Sequence, residues 1–181
     1  MILYDTKYLQ LKSAKSKSGN DWVYAHRPNV TDVVVILPVI NKEYILFLIE
    51  ERPPIQAEFG KVYTVGLPAG LVGDVREGET IEDAIRTELL EEAGLNADEI
   101  KIKNRHVASS AGCVSETYLI ATAKINEYKI SAEPVDDGGV IVDRKLIKIT
   151  DIDNWLKECE NKDMFLTAQM LSALYYLKEE I

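Results

Sequence analysis

The chain has 181 residues, 46% hydrophobic and 28% charged, which suits one globular domain plus an extension. A formal net charge of −9 excludes a surface built for non-specific nucleic-acid binding, and no apolar run approaches the ~20 residues of a membrane span. The first residues, MILYDTKYLQLKSAKSKSGN, lack the basic-then-apolar order of a signal peptide. Cys113 and Cys159 stand far apart without metal-type spacing, so the expected setting is a reducing cytoplasm.

In chain order, LYDTKYLQLKSAKSKSGNDWVYAHRP reads as a polar hairpin. Tyr4 and Tyr8 lie in one arm, SGND forms the turn, and Trp22 and Tyr24 lie in the other arm, with Trp22 facing Tyr8. DVVVILPVI and EYILFLIEER are nearly continuous apolar runs, as expected of central strands, and the prolines of ERPPI end the second. KVYTVGLPAG is a strand entering a Gly/Pro turn. A helix follows over about residues 80–93, with Thr80 as N-cap, Asp83 completing a capping box and Gly94 as the stop. IKIKNRHVASSAG and ETYLIATAKI are two more strands around AGCVS, and GGVIVDRKLIKI is another. TDIDNWLKECEN and DMFLTAQMLSALYYLKEE read as helices, the second with an apolar face of Phe165, Met170, Leu171, Leu174 and Leu177. The expected fold is α+β: an N-terminal β lobe over residues 1–30, then a mixed sheet with packed helices over residues 31–181.

The helix GETIEDAIRTELLEEAGL poses the functional question. At helical period Ile81, Ala84, Ile85, Glu88, Glu92 and Leu95 fall on one stripe, so glutamates share the packing side while Glu82, Asp83 and Arg86 take the polar side. Like charges at i, i+4 disfavour the helix by a few tenths of a kcal/mol, and partly buried carboxylates require a compensating cation. Oxygen-only donors point to Mg²⁺ or Mn²⁺, and a hard ion held by a few glutamates shares its shell with water and phosphate. The helix alone therefore suggests phosphoryl or diphosphate chemistry. A bound metal also explains how an acidic protein would take an anionic ligand.

These residues resemble the Nudix hydrolase signature: a glycine, five residues, a glutamate, seven residues, then Arg-Glu-apolar-x-Glu-Glu-x-Gly-apolar. Gly73, Glu79, Glu88, Leu89, Glu91, Glu92, Gly94 and Leu95 stand at matching places. ERPPI, LPAGL and SSAGCVSE resemble the flanks in the ADP-ribose pyrophosphatase branch, where the signature glycine is that of Pro-Ala-Gly, here Gly70. The chain departs from the pattern at Thr87, in place of arginine, and at Gly66, in place of a glutamate. Ala111 replaces a common proline, and the turn GLVGDVREGE is longer than usual.

The resemblance implies a Nudix α/β/α sandwich and a homodimer with exchanged N-terminal lobes. It implies hydrolysis of ADP-ribose, or a related nucleoside diphosphate sugar, to AMP and a sugar phosphate. It places Mg²⁺ (or Mn²⁺) on Glu88 and Glu92, with Glu91 and the carbonyl of Ala69 contributing, and gives Glu116 and Glu91 catalytic roles. Trp22 and Tyr8 are expected to meet the base, and Arg27 and Arg52 the phosphates. Glu79 is either a metal-side carboxylate or a partner of the helix dipole. The competing expectation is a Nudix-fold sensor that binds a nucleotide without turnover, and a further one is hydrolysis of another substrate such as a dinucleoside polyphosphate.

Overall fold

The computed structural model describes residues 1–73, 78–130 and 140–181. The middle of the long turn GLVGDVREGE and the two glycines that open GGVIVDRKLIKI lie outside the described residues.

The N-terminal segment forms three strands, β1 (Ile2–Asp5), β2 (Gln10–Lys15) and β3 (Asp21–His26), in a separate antiparallel sheet. Tyr8 sits in the turn between β1 and β2, where the Thr6 hydroxyl accepts the backbone N–H of Tyr8 and Leu9. The residue opposite Trp22 is therefore Ala14, not Tyr8 as expected. A Thr-based local turn inside a polar stretch competes with a continued strand, and it converts the expected hairpin into three strands.

Eight strands form the main sheet among the described residues. β4 (Asp32–Ile40) and β5 (Tyr44–Glu50) make a hairpin around Asn41 and Lys42, both at positive φ. Their ladder holds only at Val39↔Ile45 and Ile40↔Tyr44 and then stops, coinciding with Pro38, which has no N–H to give. Beyond that point the strands diverge like a fork. β6 (Thr64–Gly66) continues the edge of β5, and β7 (Ala69–Val72) continues the edge of β4. Leu67 and Pro68 cross the gap, and the Ile36 N–H donates to the Pro68 carbonyl at 2.8 Å. β8 (Glu99–Ala108) and β9 (Thr117–Ile125) extend the sheet beyond β4, while β10 (Ile141–Lys148) lies along β5.

Alternation along β4 explains its continuous apolar run. Val34 and Ile36 pack with Ala84, Ile85 and Leu89 on one face. Val35, Leu37 and Val39 pack on the other face with Leu156, Met170 and Ala173. The first face is covered by α2 (Ile81–Ala93), the second by α3 (Ile152–Asn161) and α4 (Ala168–Leu174). The result is the expected α/β/α sandwich. Two details differ. The prolines of ERPPI also open a short helix, α1 (Pro53–Phe59), which proline at the first helical positions favours. Phe165 and Leu166 form β11, parallel to β6, so the last helix starts after its N-cap Thr167.

α2 is fixed at both ends as its sequence predicts. The Thr80 hydroxyl accepts the Asp83 N–H at 3.1 Å, and the Asp83 carboxylate accepts the Thr80 N–H at 3.3 Å. Gly94 takes the left-handed conformation at φ 69° and returns its N–H to the Leu90 carbonyl. Thr80→Ala is expected to lower stability by about 1 kcal/mol in urea unfolding. Gly94→Ala is expected to lower it by a similar amount, because alanine is strained at positive φ.

The C-terminus is clamped to the sheet by charge. Glu180 accepts from Lys103 and, at 3.1 Å, from the Thr122 hydroxyl. Burial pushes the Glu180 carboxyl up, but the Lys103 ammonium and the Thr122 hydroxyl outweigh it and hold it below its ordinary value. A carboxyl depressed on folding stabilises above its unfolded pKa, and that stability is lost as pH falls through the folded value. Glu180→Gln is expected to lower stability at pH 7, with the gap to the wild type closing as pH falls below ~4. Urea midpoints across pH check this.

Candidate functional site

The fork between β4 and β5 creates the site. A cavity of about 780 Å³ opens there, and Arg27, Glu50, Arg52, Ala69, Gly70, Glu88, Glu92 and Glu116 all line it. That volume falls in the usual range for small-molecule clefts. Each wall comes from a different element. Glu50 ends β5, Arg52 precedes α1, Ala69 and Gly70 begin β7, and Glu88 and Glu92 lie on α2. Glu116 precedes β9, and Arg27 follows β3.

The stripe inferred from helical period is present. Ala84, Ile85 and Leu95 are buried, and Glu88 and Glu92 are half-buried on the same side of α2. Glu92 accepts the Ala69 N–H at 2.8 Å. A Cβ on Gly70 would lie 1.7 Å from Glu88 Oε1 and 2.5 Å from its Cγ, so only a residue without a side chain lets Glu88 lie across β7. Gly70 is therefore the glycine that seats the acidic helix. Gly73, at φ 87°, acts elsewhere. Its N–H donates to Glu79 Oε2 at 3.0 Å, tying the long turn to the start of α2. Glu91 is exposed and is not among the residues that line the cleft.

Arg86 does not replace the arginine absent at Thr87. Its guanidinium binds Glu82 Oε1 at 2.8 Å and the Ala97 carbonyl at 2.8 Å, and none of the three residues lines the cleft. Arg144 of β10, which the sequence reading missed, donates from Nε to the Glu92 carbonyl. It places positive charge at the C-terminal end of α2, which has no basic residue in its own last turn. Nothing in the spacing of α2 signals a contact from a strand 52 residues away.

The loop carrying Glu116 is braced by the N-terminal sheet. Ala25 donates its N–H to the Cys113 carbonyl at 2.8 Å and accepts the Ser115 N–H at 3.0 Å. The Trp22 indole N–H donates to the Gly112 carbonyl at 2.8 Å, and His26 Nδ1 lies 2.9 Å from the Ser115 hydroxyl. Arg27 Nε donates to Glu116 Oε2 at 3.1 Å. Trp22 and Tyr8 are exposed and do not line the cleft of their own chain. Lys7 lies over the Tyr8 ring at 4.5 Å.

Glu50 was missed as a site residue because it ends an apolar run that reads as an ordinary strand. It is 2% exposed, accepts from Arg52 and lies 3.4 Å from the Thr64 hydroxyl. Its carboxylate fills the space beside Gly66, where an added Cβ would lie 2.7 Å from Glu50 Oε2.

Among the described residues no group of three or more His, Cys, Asp or Glu side chains is placed to hold a metal. The donor chemistry nonetheless fits a hard divalent ion. Glu88 and Glu92 of α2 and Ala69 of β7, all lining the cleft, offer oxygen donors, and such ions take the rest of their shell from water and phosphate.

A family model described as the NUDIX domain matches residues 30–164. A solved structure, the crystal structure of an ADP compounds hydrolase, is 21% identical, with a TM-score of 0.67 over 99% of this chain and 92% of that chain. At that identity the likeness speaks for the fold. No curated protein matches. No described helix is long and apolar enough to cross a membrane.

Gly70→Ala is expected to leave the fold intact by circular dichroism while forcing Glu88 from its seat. Mn²⁺ affinity, read by calorimetry, is expected to fall roughly tenfold or more.

Proposed function

Because the chain belongs to the NUDIX family, its matched domain spanning residues 30–164, we propose that this Nudix hydrolase cleaves the diphosphate of ADP-ribose or a related nucleoside diphosphate sugar. The products would be AMP and a sugar phosphate. The observation that carries this reading is one cleft lined both by Glu88, Glu92 and Glu116 and by Arg27 and Arg52. A diphosphate needs both kinds of group: cations for its oxygens, and carboxylates to hold a metal and take a proton.

Glu88, Glu92 and the Ala69 carbonyl would hold Mg²⁺ or Mn²⁺, with Glu91 contributing from the exposed side. A divalent ion held there supplies charge neutralisation and activation of water. Arg52 and Arg27 bind and align the phosphates, since guanidinium forks suit phosphate oxygens. Arg27 engages Glu116 through Nε, and Glu116 would accept a proton from the attacking water. Much of the rate then comes from alignment and charge complementarity.

Trp22 and Tyr8 are proposed to meet the base in a homodimer, because both are exposed aromatic side chains of the N-terminal lobe, which also exposes Tyr4, Leu9 and Leu11. The N-terminal β lobe of residues 1–30 would then serve both assembly and base binding. The proposed setting is the cytoplasm. A second reading, a nucleotide sensor without turnover, is favoured by Thr87 and by an Arg86 that pairs away from the cleft.

Purified protein with ADP-ribose and Mg²⁺ is expected to release AMP. Glu92→Gln should lower kcat on the order of a hundredfold, and chelation should abolish turnover. Binding of ADP-ribose without AMP release would support the sensor. Turnover of dinucleoside polyphosphates alone would move the substrate assignment.

A further inference from the structure

Glu50 is a buried carboxylate that the reaction outlined above does not use. It lies at the end of β5, 2% exposed, in the wall of the cleft that also contains Glu88 and Glu92. A buried charge without compensation is strongly destabilising, so its partners define its role. They are the Arg52 guanidinium, which is 46% exposed at the side chain, and the Thr64 hydroxyl at 3.4 Å. The pair is thus asymmetric: the anion is enclosed, and the cation reaches from it into the cleft.

We propose that Glu50 is a positioning residue that fixes Arg52 toward the substrate diphosphate, and that Gly66 is side-chain-free to make room for it. The inference rests on the reading of the cleft as a diphosphate site. An arginine on a flexible stem loses rotamer entropy when it binds phosphate. A buried carboxylate that holds one edge of the guanidinium removes that cost in advance, leaving other N–H groups for the ligand. The sheet register supports the arrangement. Glu50 pairs with Thr64 and Leu48 with Gly66, so Glu50 and Gly66 are diagonal neighbours on one face. The 2.7 Å between a Cβ on Gly66 and Glu50 Oε2 shows that side chains from the two positions would compete for one volume. Gly66 has no positive φ, so its lack of a side chain answers to this volume and not to backbone strain.

The test measures inorganic pyrophosphate binding by calorimetry with Mg²⁺, alongside KM and kcat for ADP-ribose. The wild type is compared with Glu50→Gln, Arg52→Ala, their double variant, Glu50→Ala, and Glu50→Ala combined with Gly66→Glu. Glu50→Gln keeps shape and removes charge. It is expected to weaken pyrophosphate and raise KM by roughly tenfold, with kcat nearly unchanged. Arg52→Ala should weaken binding at least as much, and adding Glu50→Gln to it should change little further, because the two act as one unit. Returning a carboxylate from the neighbouring strand, with Gly66→Glu in the Glu50→Ala background, should recover most of the lost affinity. A merely structural role would show as a lower melting temperature without that recovery.

The proposal is overturned if Glu50→Gln binds pyrophosphate like the wild type, or if the Glu50 and Arg52 effects add. It is also overturned if the relocated carboxylate restores nothing, or if the wild type does not bind pyrophosphate. Glu50-dependent pyrophosphate binding without ADP-ribose turnover would sustain this inference and retire the substrate assignment. ADP-ribose turnover that ignores Glu50 would do the reverse.

Discussion

The contact between the Glu88 side chain and the bare backbone at Gly70 sets the geometry of the site. A helix that turns carboxylates toward a sheet needs a place where the sheet offers no side chain, and β7 offers it at Gly70. Glu92 is then held one turn along by the Ala69 N–H. The acidic edge of α2 is thereby seated by the same short strand that fills the fork between β4 and β5. The fork itself follows from a ladder that ends where Pro38 stands.

In the Glu50–Arg52 and Glu116–Arg27 ion pairs of this cleft, the anion sits deeper than the cation. Glu50 is enclosed while Arg52 reaches outward, and the Glu116 side chain is 26% exposed against 42% for Arg27. Arginine stems reach from buried partners to a wet rim with little loss, because the guanidinium is weakly hydrated and multiply donating. In each pair the arginine is the more exposed member and its carboxylate the more enclosed one. Four carboxylates against two arginines among the described residues still leave the cleft acidic, as the whole chain is at a net charge of −9, so a bound divalent cation is what would reverse the local sign for an anionic ligand.

Much of this was legible in the residues. The apolar runs of β4 and β5, the capping box at Thr80, the stop at Gly94 and the mixed stripe on α2 all come from short-range periodicity and capping chemistry, which act within a few residues. What escaped the sequence reading depends on contacts between distant segments or on local competition. The Thr6 turn split the expected hairpin, and the pairing of Phe165 with β6 shortened the last helix. Glu50 meets Thr64 only when β5 pairs with β6, and Arg144 meets Glu92 only when β10 comes alongside α2, and no spacing rule announces either contact. The two glycines divide between them what the signature assigns to one. Gly73 keeps the spacing to Glu79, while Gly70 makes the contact with Glu88.

The family match begins at residue 30, yet the loop that carries Glu116 leans on residues before that point. Trp22, Ala25, His26 and Arg27 supply its backbone bonds, its indole and imidazole contacts, and its ion pair. The unit that sequence comparison recognises is therefore smaller than the unit that is mechanically complete. A graft of residues 30–164 onto another scaffold would carry the acidic helix and its glycine seat, but would leave the opposite wall of the cleft without its scaffold.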